Sequence, residues 1–431
     1  MKPFLITIPF LTIACSDYAI TRIPIIKVDP LFETKAALKT ALPSAPESLE
    51  VSFESLPGHV RQYNLGLAAA RKLVAEAEGK LLSSGLVSNP DLEIGFETDQ
   101  DFGDLMLTVG VSRKFPRTNR LLLEKKVSGI LVQAARAEVR DAERLVIGKA
   151  REALVEILAL KARTTLLKSR EENAAQFTKI IEASANRGEA STLEAGVARL
   201  EAIRLGNQAS QIEIKEQVAL ARLKPLVGMN PEGRLAIIGS LAEPVMPPMN
   251  VTTYRRPDLE AARYRVKSAE ASAELARSSR LDDFEAGIYA GIGREEDAPT
   301  GRDDEQIVGI RFKIPFGENP AAVGKEAEAS ARQERLELGA RALEKVIHSE
   351  SHAAYAEMKQ WQALAEQMKS QLLPLADAQI ETAKESYLKG EVPLRDVLKA
   401  QDQKLSLETA HLESRRDFHL AYSKYLTATA Q

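Results

Sequence analysis

Apolar residues recur along this chain with two different periods. Over most of its length Leu, Ala, Val and Ile return every three to four positions among Glu, Lys and Arg. From about Arg61 to Leu82, for example, Leu65, Ala69, Leu73, Ala77 and Leu81 fall every fourth residue, the spacing of an amphipathic helix. Two short regions switch to period two. Leu92, Ile94 and Phe96 alternate with Glu93, Gly95 and Glu97, and Leu105, Leu107, Val109 and Val111 resume the alternation beyond the polar turn around Asp99 to Asp104. Much later Val308, Ile310, Phe312, Ile314 and Phe316 alternate with Gly309, Arg311, Lys313 and Pro315. Such alternation predicts strands with one oily and one wet face, here two hairpins over 91–116 and 283–316, the second with a longer acidic tip from Arg294 to Asp304.

The whole pattern occurs twice. Ala69, Ala70, Ala77 and Glu78 return as Ala261, Ala262, Ala269 and Glu270, and Val109-Gly110-Val111 returns as Val308-Gly309-Ile310. No proline lies between Pro116 and Pro225, so a helix is expected from Leu121 to Arg187, roughly 100 Å long at 1.5 Å per residue. Gly188 ends it, and Ser191 or Thr192 opens a returning helix to about Leu223, because glycine stops helices and hydroxyl side chains start them. The second half repeats this with a helix from about Pro320 to Lys389, a turn at Gly390 and a return from Leu394 to about Thr427. Pro374 has no counterpart in the first half and should kink its helix. The expected organisation is a signal segment over 1–15, an extended arm over 16–59, a first repeat over 60–225, a Pro- and Gly-rich linker over 226–256, and a second repeat over 257–431.

Composition narrows the classes. Lys and Arg number 58 against 61 Asp and Glu, and without a basic-aromatic patch nothing points to nucleic acid. The single cysteine, Cys15, follows a short basic start and an apolar run from Phe4 to Ala14, which reads as a secretory signal too short to span a membrane. Its setting resembles a bacterial lipobox, which would make Cys15 the lipid attachment point. Thr12 and Leu11 depart from the usual order there, so ordinary signal cleavage with an incidental thiol stands beside lipidation. After the signal no run reaches the length of a membrane-spanning helix. Isolated strands leave backbone groups unpaired, and only a closed barrel removes their edges in lipid. Four strands are too few, so several chains must share one.

Arg256-Pro257-Asp258-Leu259 opens the second half, Leu372-Leu373-Pro374 precedes its tip, and Tyr387-Leu388-Lys389-Gly390 leads into Asp396-Val397-Leu398-Lys399-Ala400. With the two-fold repeat, these segments resemble the TolC family of outer-membrane efflux channels over nearly all of the mature chain. The resemblance implies a mainly α fold with a small β part: two structural repeats whose long antiparallel helical hairpins form an α-barrel, and four strands per chain in a trimeric 12-stranded transmembrane β-barrel. It implies a homotrimer in outer-membrane lipid with its helical part in the periplasm. Its partners would be a periplasmic adaptor (membrane fusion) protein and an inner-membrane pump of the RND type. It further implies a pore constriction at Glu194 and Asp396, with Tyr387 holding the closed tip, and adaptor contacts at the tips formed by Arg187, Gly188 and Glu189 and by Lys389, Gly390 and Glu391. Lys399 departs from the family pattern, where another aspartate stands in some members. The plainer reading is that Glu194 and Asp396 are acids in first turns, favoured there by the helix dipole.

Function so read is conduction, with no catalytic residues, no cofactor and no metal. His348 and His352 share a helix face, yet no acid or cysteine motif completes a metal site. Phosphate-cradling and nucleophile-elbow motifs are absent from the sequence. The competing class is a periplasmic coiled-coil adaptor or scaffold that conducts nothing; the twice-repeated strand hairpins argue against it. Metal ions, drugs and secreted proteins are all compatible with this sequence as cargo.

Overall fold

Strong helix formers dominate the chain after Asn119, and in the computed structural model of the protein Arg120–Asn186 is one unbroken helix, α3. The structure describes residues 46–98, 104–249, 256–297 and 301–430; Cys15, the signal segment and most of the extended arm lie outside them. Ahead of α3 come β1 (Ser48–Val51), α1 (Leu56–Tyr63), α2 (Leu65–Ser83), β2 (Asp91–Thr98) and β3 (Leu105–Phe115). After it come α4 (Thr192–Leu223), β4 (Arg234–Ile237), α5 (Pro257–Ser278), β5 (Phe284–Asp297) and β6 (Gly301–Lys313). The chain ends with α6 (Ala321–Gln367), a π-turn (Met368–Leu372), α7 (Leu373–Leu388) and α8 (Leu394–Thr429). No described helix is long and apolar enough to cross a membrane.

The fold is mainly helical with a small β part, and α3 is its spine, packing against α1, α2, α4, α5 and α8. Ile147, Leu154, Ile157 and Leu158 of α3 join Val51, Leu56, Val60, Leu67 and Leu223 in one buried cluster. The sequence motif at the start of the second half has a structural reason. Pro257 occupies the first turn of α5, the Asp258 carboxylate accepts from the Leu259 backbone at 2.9 Å, and Arg256, only 6% exposed, pairs with Asp258 at 2.9 Å and Glu350 at 2.6 Å. Arg144 of α3 donates to the Thr427 carbonyl at 2.6 Å and approaches Asp258 to 3.9 Å, so one polar network ties α3, α5, α6 and α8.

The four long strands form one antiparallel sheet in the order β2-β3-β5-β6. Register places Glu93 beside Gly110, Gly110 beside Tyr289 and Tyr289 beside Gly309. One face therefore carries Leu92, Ile94, Phe96, Val109, Val111, Ile288, Ile310 and Phe312, while the other carries Glu93, Ser112, Tyr289 and Arg311. Arg311 reaches Glu93 at 2.7 Å and its guanidinium lies 5.1 Å from the Tyr289 ring centre. The apolar face is uncovered: Ile94 is 68% and Ile310 69% exposed.

Two local expectations are corrected. The helix expected from Arg61 is two helices, because Asn64 leaves helical geometry, caps α2 by accepting from Leu67 N at 2.9 Å, and donates to the Leu226 carbonyl at 2.9 Å. The arm expected to stay extended to residue 59 already holds β1, parallel to β4, and the start of α1; Pro57 starts that helix, since proline is tolerated in a first turn. Pro374, expected to kink its helix, stands in the first turn of α7 directly after the π-turn, and wide turns of this kind are themselves places where helices bend.

Replacing Arg256 by Ala leaves Asp258 and Glu350 without their shared partner and should cost about 3 kcal/mol or more. Arg263→Ala, which removes an exposed pair to Glu344 at 3.6 Å, should cost less than about 1 kcal/mol. Chemical unfolding of the two variants side by side checks the contrast.

Candidate functional site: the paired helical tips

Both helical hairpins turn through the same hydrogen bonds. At the first tip Glu189 N donates to Ser184 O at 2.9 Å and Gly188 N to Ala185 O at 3.0 Å. At the second, Glu391 N donates to Ser386 O and Gly390 N to Tyr387 O, each at 2.9 Å. This is the Schellman pattern, in which the residue after the helix is left-handed. Gly188 and Gly390 have φ of +79° and +78°, so glycine is required at both. The positions proposed from sequence as tip contacts, Arg187, Gly188, Glu189, Lys389, Gly390 and Glu391, are all exposed. Arg187 donates to Glu189 at 2.9 Å and holds that carboxyl below the usual range.

The two tips share one small core. Phe177 and Ile181 of α3, Ala198 of α4, and Leu394 and Val397 of α8 are buried together, with Tyr387 packed against them. Tyr387 meets Phe177 edge-on at 6.0 Å between ring centres. Burial, with the Glu194 carboxylate second, pushes the Tyr387 hydroxyl up. Sequence-distant Tyr387 and Glu194 are thus neighbours.

Glu194 has a local duty as well. Its carboxylate accepts from Ser191 N at 3.1 Å while Ser191 caps the start of α4, a complete capping box. It also lines an apolar groove between the starts of α4 and α8 with Leu193, Arg395, Lys399 and Asp402. Asp396 stands in the first turn of α8, 3.6 Å from Arg395, and is not part of that groove lining. Acids and bases therefore alternate at this end. Sequence reading missed Asp402 and Arg204. Arg204 bridges Glu201 at 2.5 Å and Asp402 at 2.6 Å, fastening α4 to α8; nothing in local spacing joins residues so far apart in sequence. Further up, Arg170 of α3 pairs with Glu408 of α8, and Lys404 of α8 with Asp377 of α7. His348 and His352 stack at 4.4 Å on exposed α6, with no third ligand beside them among the described residues.

No family model matches the sequence, and no curated protein matches it. Solved structures do. The outer membrane protein VceC of Vibrio cholerae is 16% identical with a TM-score of 0.70, over 88% of this chain and 95% of its own. CusC, described with its transmembrane channel formation, is 14% identical at 0.73, over 89% and 93%. The open state of the MtrE outer membrane channel of Neisseria gonorrhoeae is 14% identical at 0.67, over 88% of each. The chain shares the fold of these channels over most of its length.

Gly188→Ala and Gly390→Ala each force a side chain into left-handed geometry at a cost of about 1–2 kcal/mol. Hydrogen exchange should quicken by roughly tenfold at residues 184–194 or 385–396 respectively, with the other tip unchanged.

Proposed function

We propose that this chain is one subunit of a homotrimeric outer-membrane channel, the exit duct of a tripartite efflux or secretion system. One observation supports this most: a four-stranded sheet with an uncovered apolar face ends in two open strands, β2 and β6. Pairing β6 of one copy with β2 of the next satisfies both edges, and lipid covers the apolar face. Twelve strands from three copies give a barrel of the size the family resemblance implies. The polar face, with Glu93, Ser112 and Arg311, would then line a wet lumen. Leu193, Leu200, Ile214 and Val218 of α4 are exposed in the single chain and would pack against neighbouring copies, closing the helices into a periplasmic tube.

Cargo enters at the tips in this reading. The exposed tips at Gly188 and Gly390 dock a periplasmic adaptor, which links the duct to an inner-membrane pump of the RND type, and Cys15 anchors the mature chain by lipid. Glu194 and Asp396 contribute six carboxylates to the constriction of a trimer, drawing cations toward it; Arg395 and Lys399 beside them temper that field. Tyr387, wedged on Phe177, steadies the closed tip. No step makes or breaks a bond.

Electron microscopy of protein extracted from outer membranes should reveal a threefold tube with a helical section of roughly 100 Å; a monomeric rod lacking a barrel would refute the duct. In planar bilayers, Glu194→Gln combined with Asp396→Asn should lower cation-over-anion permeability severalfold. Unchanged selectivity would reduce both acids to helix-start groups.

A further inference from the structure

The linker between the two halves is held to the second half over four consecutive residues. Arg415 of α8 donates to the Leu241 carbonyl, and His419 donates its Nε2 proton to the Ala242 carbonyl at 2.9 Å. Lys369 of the π-turn grips the Glu243 carboxylate at 3.0 Å, which Arg415 also approaches to 3.4 Å. Gln362 of α6 donates to the Pro244 carbonyl at 3.2 Å. Leu241 is buried in the α3 core and Met246 packs beside Met358 and Phe418, so this strap is pinned by apolar contacts at both ends and by polar ones between.

His411, Arg415 and His419 stand four residues apart on α8 and so form one ridge. His411 is only 9% exposed, and its Nε2 has no hydrogen-bond partner. A buried polar atom without a partner costs free energy, and here the atom can take up a proton. The groups facing it are Arg415 on its own helix, Glu243 on the strap, Lys369 on the π-turn and Glu366 on α6. Toward α3, Arg163 and Arg170 are engaged with Glu413 and Glu408.

We propose that proton uptake by His411 unfastens the strap at 241–244 from α8 and the π-turn, making the linker clasp a pH-operated release. This inference concerns contacts within one chain and does not depend on the duct reading. Burial first, and Arg415 second, hold the His411 imidazole below its ordinary range. The sign follows: a clasp that disfavours imidazolium is at full strength above that range and weakens as pH falls through it. Glu243 and Glu366 offset the added charge only in part, since Glu243 is already shared by Lys369 and Arg415. Those contacts also hold the Glu243 carboxyl below its usual value, so it stays ionised in mild acid. Of the two histidines in the clasp, His419 keeps its Nε2 proton on the Ala242 carbonyl in either charge state, so His411, with its unpartnered ring nitrogen, is the one whose proton uptake disturbs the site. The π-turn supplies the give, because an α-helix interrupted by wide turns is a common place for local rearrangement.

The test is a nitroxide on Val245→Cys, a site 75% exposed, in the full chain carrying Cys15→Ser. Between about pH 7.5 and pH 5 the mobile fraction of the spectrum should rise severalfold in the protein with His411. In His411→Phe and in His411→Gln, which fill the site without titrating, it should stay flat. His411→Lys should be mobile already at the higher pH. An unchanged spectrum with His411 present, or the same acid response in His411→Gln, would overturn the proposal.

Discussion

Unpaired backbone at two strand edges is the constraint on which the rest of this structure depends. Within the chain β3 pairs with β5 and joins the two repeats, but β2 and β6 each offer one row of donors and acceptors that no strand among the described residues takes up. In water such edges invite aggregation, and in lipid each unpaired group is costly. The apolar face beside them adds a second unmet demand. Pairing β6 of one copy with β2 of the next, as proposed, would answer both demands together, so the sheet rather than any single residue would drive assembly.

The helices meet a different demand. A helix as long as α3 has a narrow apolar stripe that drifts around its axis, so different partners must cover it along its length. They do: the α1, α2 and linker cluster lies at mid-length, and the tip core with Phe177 and Ile181 at one end. Ion pairs between neighbouring helices, such as Arg204 with Asp402, fix their relative register. Most of these are half-exposed and add little energy individually; their worth is in excluding alternatives. The Arg256 network is the exception, because the Arg256 guanidinium and the Asp258 carboxylate are largely shut off from water.

The two halves are alike at the tips and unlike in the middle. Both tips end in a left-handed glycine with the same pair of backbone bonds. Only the second half has a π-turn, and that turn carries Lys369, which grips the linker. The asymmetry therefore falls where one half is strapped to the other.

Sequence alone determined the elements and their repetition. Period-two alternation located the strands, helix formers without proline located α3, and Gly188 and Gly390 located the turns, because each of these is a local property of the backbone and its immediate neighbours. The mainly helical fold class with a small β part was legible for the same reason. What only the tertiary structure decided is what distant residues do to one another. Asn64 breaks a periodic helix because it finds the Leu226 carbonyl and the α2 start at once. Glu194 caps its own helix and also sits near Tyr387, a pairing no spacing announces. Pro374 follows a wide turn that local sequence did not announce, and His411, one histidine among five in the sequence, is buried near Glu243 of the linker, about 170 residues away in the chain. Periodicity reports which face of an element is oily; it carries no information about which other element will cover that face, since that is settled by the packing of the whole chain.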